Sequence, residues 1–150
     1  MDNKDRQIIR ELQRDAGLTN NELAERVNLS PSPCLRRVRK LEDSGVIRGY
    51  TALVDQKKYG VPLTVFVRIS LVQHNANTVS AFEEKIHDME EVQDCYLTTG
   101  DADYILRVIA SDLDGYERFV RKKLHKIEGI QSIATSFAYS AIKQSCVYPK

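Results

Sequence analysis

The chain has few of the residues that build disulfide frameworks or metal sites. Its 150 residues include three cysteines and three histidines. The cysteines are odd in number and far apart, which argues against a disulfide framework. No histidine has a cysteine or histidine partner at the spacing of metal ligands. We therefore expect no metal and no other cofactor, although a small effector such as an amino acid remains compatible with the sequence.

Long apolar runs are also missing. No stretch approaches the length of a membrane-spanning helix, and the N-terminus, MDNKDRQIIREL, is charged from its start, unlike a signal peptide. The hydrophobic share of 42% is still enough for a packed core. We expect a cytoplasmic protein of one ordinary domain or two small ones.

An excess of charge is lacking too, since the formal net charge is +1. Residues 1–60 hold 12 Lys and Arg against 9 Asp and Glu, and residues 61–150 hold 10 against 12. One run, CLRRVRK at residues 34–40, has four cations and no acid. A small basic element on a balanced protein is typical of a DNA-binding surface. Charged runs on helices are nevertheless more often solvated faces.

Three amphipathic helices are predicted within the first 45 residues. Asp2 can cap the first helix. The second begins at Thr19, which precedes Glu22 by the three residues of a capping box. The third begins at Ser30, whose hydroxyl can accept from free N–H groups of the first turn, and it ends at Gly45. Its core-facing positions recur at helical spacing, with Leu35 beside them: Cys34, Val38 and Leu41.

The order of these elements predicts a helix-turn-helix, whose second helix enters the major groove of DNA. Pro31 and Pro33 fit the first turn of that helix because no N–H is needed there, and the free N–H groups at its start suit phosphate. The expected base-edge contacts are Ser32, Pro33 and Arg36. The expected phosphate contacts are Arg37, Arg39 and Lys40. Ser30, at the start of the helix, is a further expected DNA contact. The segment GVIRGYTALVD, residues 45–55, is either a small β-hairpin or extended arm of a winged variant, or only a linker.

This N-terminal half resembles the Lrp/AsnC, or leucine-responsive, family of transcriptional regulators. The most specific string is LSPSPCLRRVRKLE followed by GVIRGY. The resemblance implies that this segment is the recognition helix and the start of a hinge strand. It extends over essentially all 150 residues.

The second half predicts a ferredoxin-like plait in the order β-α-β-β-α-β. The strands are expected at residues 61–72, at two positions within 92–110 that a tight turn at Gly100-Asp101 joins, and at 130–142. Helices are expected at residues 78–89 and 112–127. These helices cover one sheet face, and we expect the other to be a large apolar surface around Phe66 and Tyr139. A partner subunit would cover it, so a homodimer is predicted. Cys34 and Cys95 are both expected to be buried.

The string TTGDADY at residues 98–104 is similar to the SGDxDY signature of the same family, with Thr99 in place of the commoner serine. In that family the plaits pair into dimers, four dimers often form a ring, and small effectors, commonly amino acids, bind between dimers. The resemblance implies an octamer and an effector region at Gly100, Asp101, Asp103 and Tyr104, with weaker additions at Thr98, Thr99, Thr135, Ser136 and Phe137. A hairpin turn with an aspartate that caps a neighbour is the simpler interpretation of the same residues.

The fold class predicted is α+β, with a winged helix-turn-helix domain over residues 1–60 and a ferredoxin-like effector-binding and oligomerisation domain over residues 61–150. We expect a sequence-specific regulator that binds double-stranded DNA, with a DNA-wrapping architectural protein as the alternative. An enzyme is not expected, because the pair Asp101 and Asp103 has no His, Lys or Ser nucleophile in its motif.

Overall fold

The structure is a computed structural model that describes residues 1–149. Its contacts divide the chain into two compact units. The first comprises Met1–Leu53 together with the C-terminal segment that begins at Ile142, and the second comprises Val54–Ala141. The side-chain amide of Gln13 holds the C-terminal segment, because it donates to the Cys146 carbonyl at 2.7 Å and accepts from the Tyr148 N–H at 3.1 Å. This division differs from the expected 60/61 boundary, and the sequence prediction did not include the return of the C-terminal segment.

Three helices form the first unit: α1 (Asn3–Arg14), α2 (Asn20–Arg26) and α3 (Pro31–Asp43). Asp2 caps α1, and Thr19 caps α2 in a capping box, as predicted; Asp2 also forms a complete capping box, with Asp5, which was not predicted. Asn28, in the turn between α2 and α3, has a left-handed φ of 51°, which asparagine tolerates better than most residues. The buried core of the unit consists of Ile8, Leu23, Ala24, Val27, Cys34 and Leu41.

Ser30 occupies the N-cap position of α3, but its side chain makes no capping hydrogen bond. The prediction of a hydroxyl cap was therefore wrong. A capping side chain normally accepts from the N–H of the second or third helical residue, and the third residue here is Pro33, which has no N–H. At the other end, Gly45 has a left-handed φ of 72° and ends α3 as expected.

Residues 46–55 contain neither strand nor helix, so no hairpin forms there. Ile47 packs against the core of the first unit and donates its N–H to the Leu41 carbonyl at 3.0 Å. The second unit begins just before a short helix, α4 (Gln56–Tyr59). The Gln56 amide donates to the Val61 carbonyl and to the Thr64 hydroxyl, which ties α4 to the following strand and explains why the boundary precedes it.

The second unit is the predicted plait. Its further elements are β1 (Leu63–Leu71), α5 (Ala76–His87), β2 (Val92–Leu97), β3 (Tyr104–Ala110), α6 (Leu113–Lys122), a 3-10 turn (Leu124–Lys126) and β4 (Ile130–Phe137). The strands are antiparallel in the order β2-β3-β1-β4. No helix within residues 1–149 has the length and apolar character that crossing a membrane requires.

Alternation along the strands separates the two sheet faces. Under α5 and α6, the odd-numbered positions of β1 from Val65 onward and the even-numbered positions of β3 are buried. The opposite face is mixed, because Phe66 and Tyr96 share it with Arg68 and with Arg107, which is paired with Asp94. The expectation of a largely apolar open face was therefore only partly right.

Two local predictions around β2 were wrong. The connection from β2 to β3 is a loop of residues 98–103 rather than a two-residue turn, and the Thr98 N–H closes it by donating to the Asp103 carbonyl at 2.8 Å. Cys95 is exposed, whereas Cys34 is buried as expected. The reason is that β2 is an edge strand with a single neighbour, β3, so its side chains are less covered than those of β1.

Candidate functional site

The basic residues of α3 lie mostly on one exposed surface. A shallow groove of about 690 Å³ follows this surface and is lined by Ser32, Leu35, Arg36, Arg39, Lys40, Asp43 and Ser44. Within residues 1–149, no salt bridge engages Arg36, Arg39 or Lys40, so their charges are available to an outside anion. Ser30 and Ser32 are exposed at the start of α3, and Pro33 is half-buried there.

The turn before α3 holds the start of that helix in place. The Asn20 side-chain amide, in the first turn of α2, donates to the Pro31 carbonyl at 2.9 Å. At the first residue of the turn, the Lys4 ammonium donates to the Val27 carbonyl at 2.6 Å. Four residues separate α2 from α3, which is the length of a helix-turn-helix turn.

Arg37 differs from the other cations of α3. Its guanidinium donates to Asp2 and to Asp5, both at 2.7 Å. Arg37 lies three residues after buried Cys34 and four before buried Leu41, so it flanks the core stripe rather than the exposed groove. The expectation of a free phosphate contact at Arg37 is not met, because this side chain connects α3 to the capping box of α1.

We expect Arg37→Ala to lower the melting temperature of the protein in a pH-dependent way. The pKa of Asp2 is held below its ordinary 3.8 by the Asp5 N–H and then by Arg37. The pKa of Asp5 is lowered by the Asp2 N–H and, more weakly, by Arg37. Because both carboxyls have lowered pKa values in the folded state, the stabilisation is complete above pH 3.8 and is lost as the pH falls through the folded values. Circular dichroism melts of wild type and Arg37→Ala should differ at pH 6, and the difference should shrink as the pH falls below 3.8.

Arg39→Ala is the matched control for this prediction. This substitution removes the same charge from the same helix without breaking an ion pair. Its melting temperature should equal that of wild type at pH 6. Equal melting temperatures for wild type and Arg37→Ala at pH 6 would contradict the structural role of Arg37.

The loop of residues 98–103 is fixed by Asp103. One carboxylate oxygen accepts from the Leu71 N–H at 2.7 Å, and the other lies 2.7 Å from Nε2 of His74. The Leu71 N–H, followed by His74, lowers the pKa of Asp103. Asp103 therefore holds the end of β1 and remains anionic at neutral pH, as in the simpler interpretation of this motif.

Asp101 is the exposed acid of the same loop. Its side chain is 91% exposed, with Arg68 at 3.6 Å as its neighbour. Gly100 precedes it with φ of 121°, a conformation that L side chains rarely adopt. Thr98 uses its hydroxyl inside the loop by donating to the Ala102 carbonyl at 3.0 Å, and Thr99 is exposed. An exposed carboxylate with a cation beside it offers a partner to each charged group of a zwitterion.

Tyr104 belongs to the core rather than to an open binding surface. It is 2% exposed, its ring centroid lies 4.6 Å from that of Phe82, and its hydroxyl donates to Glu83 at 2.9 Å. Burial, followed by the bond to Glu83, raises the pKa of Tyr104. Its contribution is to anchor the start of β3 immediately after the loop.

The predicted residues on β4 lie elsewhere on the sheet. Tyr104 is opposite Ile69 of β1, whereas Thr135 and Phe137 are opposite Val67 and Val65, about 7–13 Å farther along the strand. Thr135 and Phe137 line a groove of about 410 Å³ beside α6, where the Tyr116 and Thr135 hydroxyls are 2.7 Å apart. Ser136 is on the other face. One copy of the chain thus does not bring these residues together with the loop.

Sequence reasoning missed three participants. His74 contacts Asp103 and Arg68 contacts Asp101, each from a position about 30 residues earlier in the chain. Local periodicity does not predict pairs so far apart in sequence. Leu35, which was placed beside the core stripe, is exposed in the groove of α3. A helical projection centred on Cys34 and Leu41 would have separated Leu35 and Arg37 correctly.

Models of two protein families match the chain. Residues 1–48 match a winged helix-turn-helix DNA-binding family, and residues 64–148 match the Lrp/AsnC ligand binding domain. The first match contains the helices α1 to α3, and the second begins within β1 and contains β2, β3 and β4 completely. The first matched region therefore contains the basic helix α3, and the second contains the loop of residues 98–103.

Individual proteins are similar over nearly the whole chain. The leucine-responsive regulatory protein of Escherichia coli (strain K12) is 39% identical over 145 residues, which cover 97% of this chain and 88% of that protein. The transcriptional regulator AzlB of Bacillus subtilis is 36% identical, covering 99% and 95%. The solved structure of transcriptional regulator NMB0573 of Neisseria meningitidis, a complex with L-Met, is 36% identical with a TM-score of 0.94, covering 99% and 96%. The chain is therefore a member of the Lrp/AsnC family of transcriptional regulators.

Proposed function

We propose that α3 enters the major groove of double-stranded DNA and that its exposed surface makes the contacts. Ser32, Pro33 and Arg36, nearest the N-terminal end, face base edges. Ser30, Arg39 and Lys40 contact phosphates, and Arg37 acts indirectly by fixing α3 against α1. The observation that carries this proposal is the exposed row of cations on the second helix of a helix-turn-helix, none of which has a salt bridge within the part of the chain that the structure describes.

Footprinting over long genomic fragments tests this proposal and its alternative. A regulator should protect discrete operators whose half-sites are about 34–36 Å apart, or a multiple of that distance. An architectural protein that wraps DNA should instead give long phased protection without a preferred sequence. Absence of DNA binding in a gel shift at moderate salt would contradict both.

We propose that the second unit binds a small amino-acid-like effector, and the solved relative in complex with L-Met supports this class of ligand. Asp101 supplies the anion for an ammonium group, and the loop backbone around Gly100 supplies N–H donors for a carboxylate. The effector-region residues on β4 would join the loop from another copy of the chain. A thermal-shift screen of the twenty amino acids tests the proposal, since a ligand that binds only the folded protein raises its melting temperature.

We propose a homodimer formed through the open face of the sheet, assembling further to an octamer. Phe66 at 42% exposed and Tyr96 at 62% exposed are the apolar part of this face. The neighbouring pair of Arg107 and Asp94 would set the register between two copies.

Phe66→Glu should convert the assembly to monomers, because it places a charge without a partner in a buried interface. Sedimentation velocity measures the result directly. Tyr59→Glu is the control, since Tyr59 is 75% exposed on α4 and should leave the assembly intact. A wild-type protein that sediments as a monomer would contradict the proposed dimer.

The curated relatives have the names of regulators and not of enzymes. We accordingly propose binding rather than catalysis for Asp101 and Asp103, and a site of action in the cytoplasm, where DNA is accessible.

A further inference from the structure

One apolar side chain lies among the exposed cations of α3. Leu35 keeps 38% of its surface in contact with solvent, although it belongs to a helix whose other aliphatic residues, Val38 and Leu41, pack into the core. It lines the same groove as Arg36 and Arg39. The exposed part of a large apolar residue at this position costs free energy in water, and Leu35 is not among the residues that form or pack against the core of the first unit.

The helical repeat places Leu35 within the surface proposed to meet DNA. Ser32, Leu35 and Arg39 are separated by three and four residues and form one row along α3. Ser32, Arg36 and Lys40 form the neighbouring row at intervals of four. Leu35 is thus flanked by residues that would contact base edges and phosphates, and it lines the same groove as they do.

The base edges of the major groove expose hydrogen-bonding groups and one apolar group, the C5-methyl of thymine. An exposed leucine has no hydrogen bond to offer, so the methyl group is the feature it can distinguish. We propose that Leu35 is a specificity-determining residue that packs against the C5-methyl group of a thymine in the DNA site. This inference rests on the proposed placement of α3 in the major groove.

A deoxyuridine scan tests the contact, because replacing thymine by deoxyuridine removes only the methyl group. The probe is a duplex selected from a random-sequence library with the wild-type protein. Each thymine is replaced in turn, and binding is measured by fluorescence anisotropy. Wild type should lose affinity about fourfold at one thymine of each half-site, as burial of one methyl predicts. Leu35→Ala should bind the thymine and deoxyuridine duplexes equally at that position, and Leu35→Met, which keeps an apolar reach, should still prefer thymine.

Leu113→Ala is the matched control. Leu113 is 63% exposed on α6, and its variant should retain the fourfold preference. Wild-type protein that is indifferent to every deoxyuridine would overturn the inference, as would a Leu35→Ala variant with the full preference. The double variant Arg36→Ala/Arg39→Ala separates this failure from failure of the proposed function: if it binds like wild type, α3 is not the DNA-binding helix; if it binds weakly, only the role of Leu35 is rejected.

Discussion

Replacing Arg36 and Arg39 together by alanine is expected to weaken binding to duplex DNA by about 100-fold, as the loss of two charge-assisted hydrogen bonds of about 1.5 kcal/mol each predicts. Both side chains are exposed and neither has an ion-pair partner within residues 1–149, so the loss should appear in binding and not in folding. The slope of log affinity against log salt should also fall by about one unit for each phosphate contact removed. Anisotropy titrations at several salt concentrations measure both effects.

A double variant on α6, Arg118→Ala/Arg121→Ala, is the control for overall charge. Both arginines are exposed, and the change in net charge is identical. This control should keep most of the wild-type affinity and salt slope, because long-range attraction is largely screened at physiological salt. Equal losses in the two double variants would show that binding follows net charge and that α3 has no particular part in it.

Asp101→Ala is expected to abolish the response to whichever amino acid raises the melting temperature of the wild type. Asp101 is almost fully exposed, and its neighbour Arg68 is 3.6 Å away, so an exposed pair of this kind contributes little to stability. The variant should therefore fold and bind DNA as wild type does. What it should lose is the coupling between effector and DNA, which is typically about 1–3 kcal/mol, measured as the change in DNA affinity on adding the effector.

Asp103→Ala provides the contrast within the same loop. It removes the acceptor of the Leu71 N–H and the partner of His74, so its melting temperature should fall by a few degrees even without effector. If Asp101→Ala melts lower and Asp103→Ala does not, the two aspartates have been assigned the wrong roles. If no amino acid stabilises the wild-type protein, the proposed class of effector is contradicted.

Much of this protein was predictable from local pattern because the relevant interactions are short in sequence. The capping boxes at Asp2 and Thr19 join residues three apart, and the alternation along β1 reports its two faces directly. The order of elements in the second unit was also correct. The errors occurred where a neighbour intervenes: Pro33 removes the N–H that Ser30 would have capped, and the edge position of β2 exposes Cys95.

The sequence by itself determined the helix-turn-helix and the plait, since these depend on periodicity, caps and spacing, and the family followed from the resemblance of its motifs. Only the tertiary structure decided which residues of the same type differ in role, both among the arginines of α3 and between the two loop aspartates. Among the described residues, Arg37 is ion-paired to α1 whereas Arg36 and Arg39 have no salt bridge, and Asp103 is hydrogen-bonded to the end of β1 whereas Asp101 is 91% exposed with Arg68 3.6 Å away. The partners of Arg37 and Asp103 are about 30 residues away in the chain. A sequence pattern reports only short spacings, so it does not show which distant groups folding brings within hydrogen-bond distance.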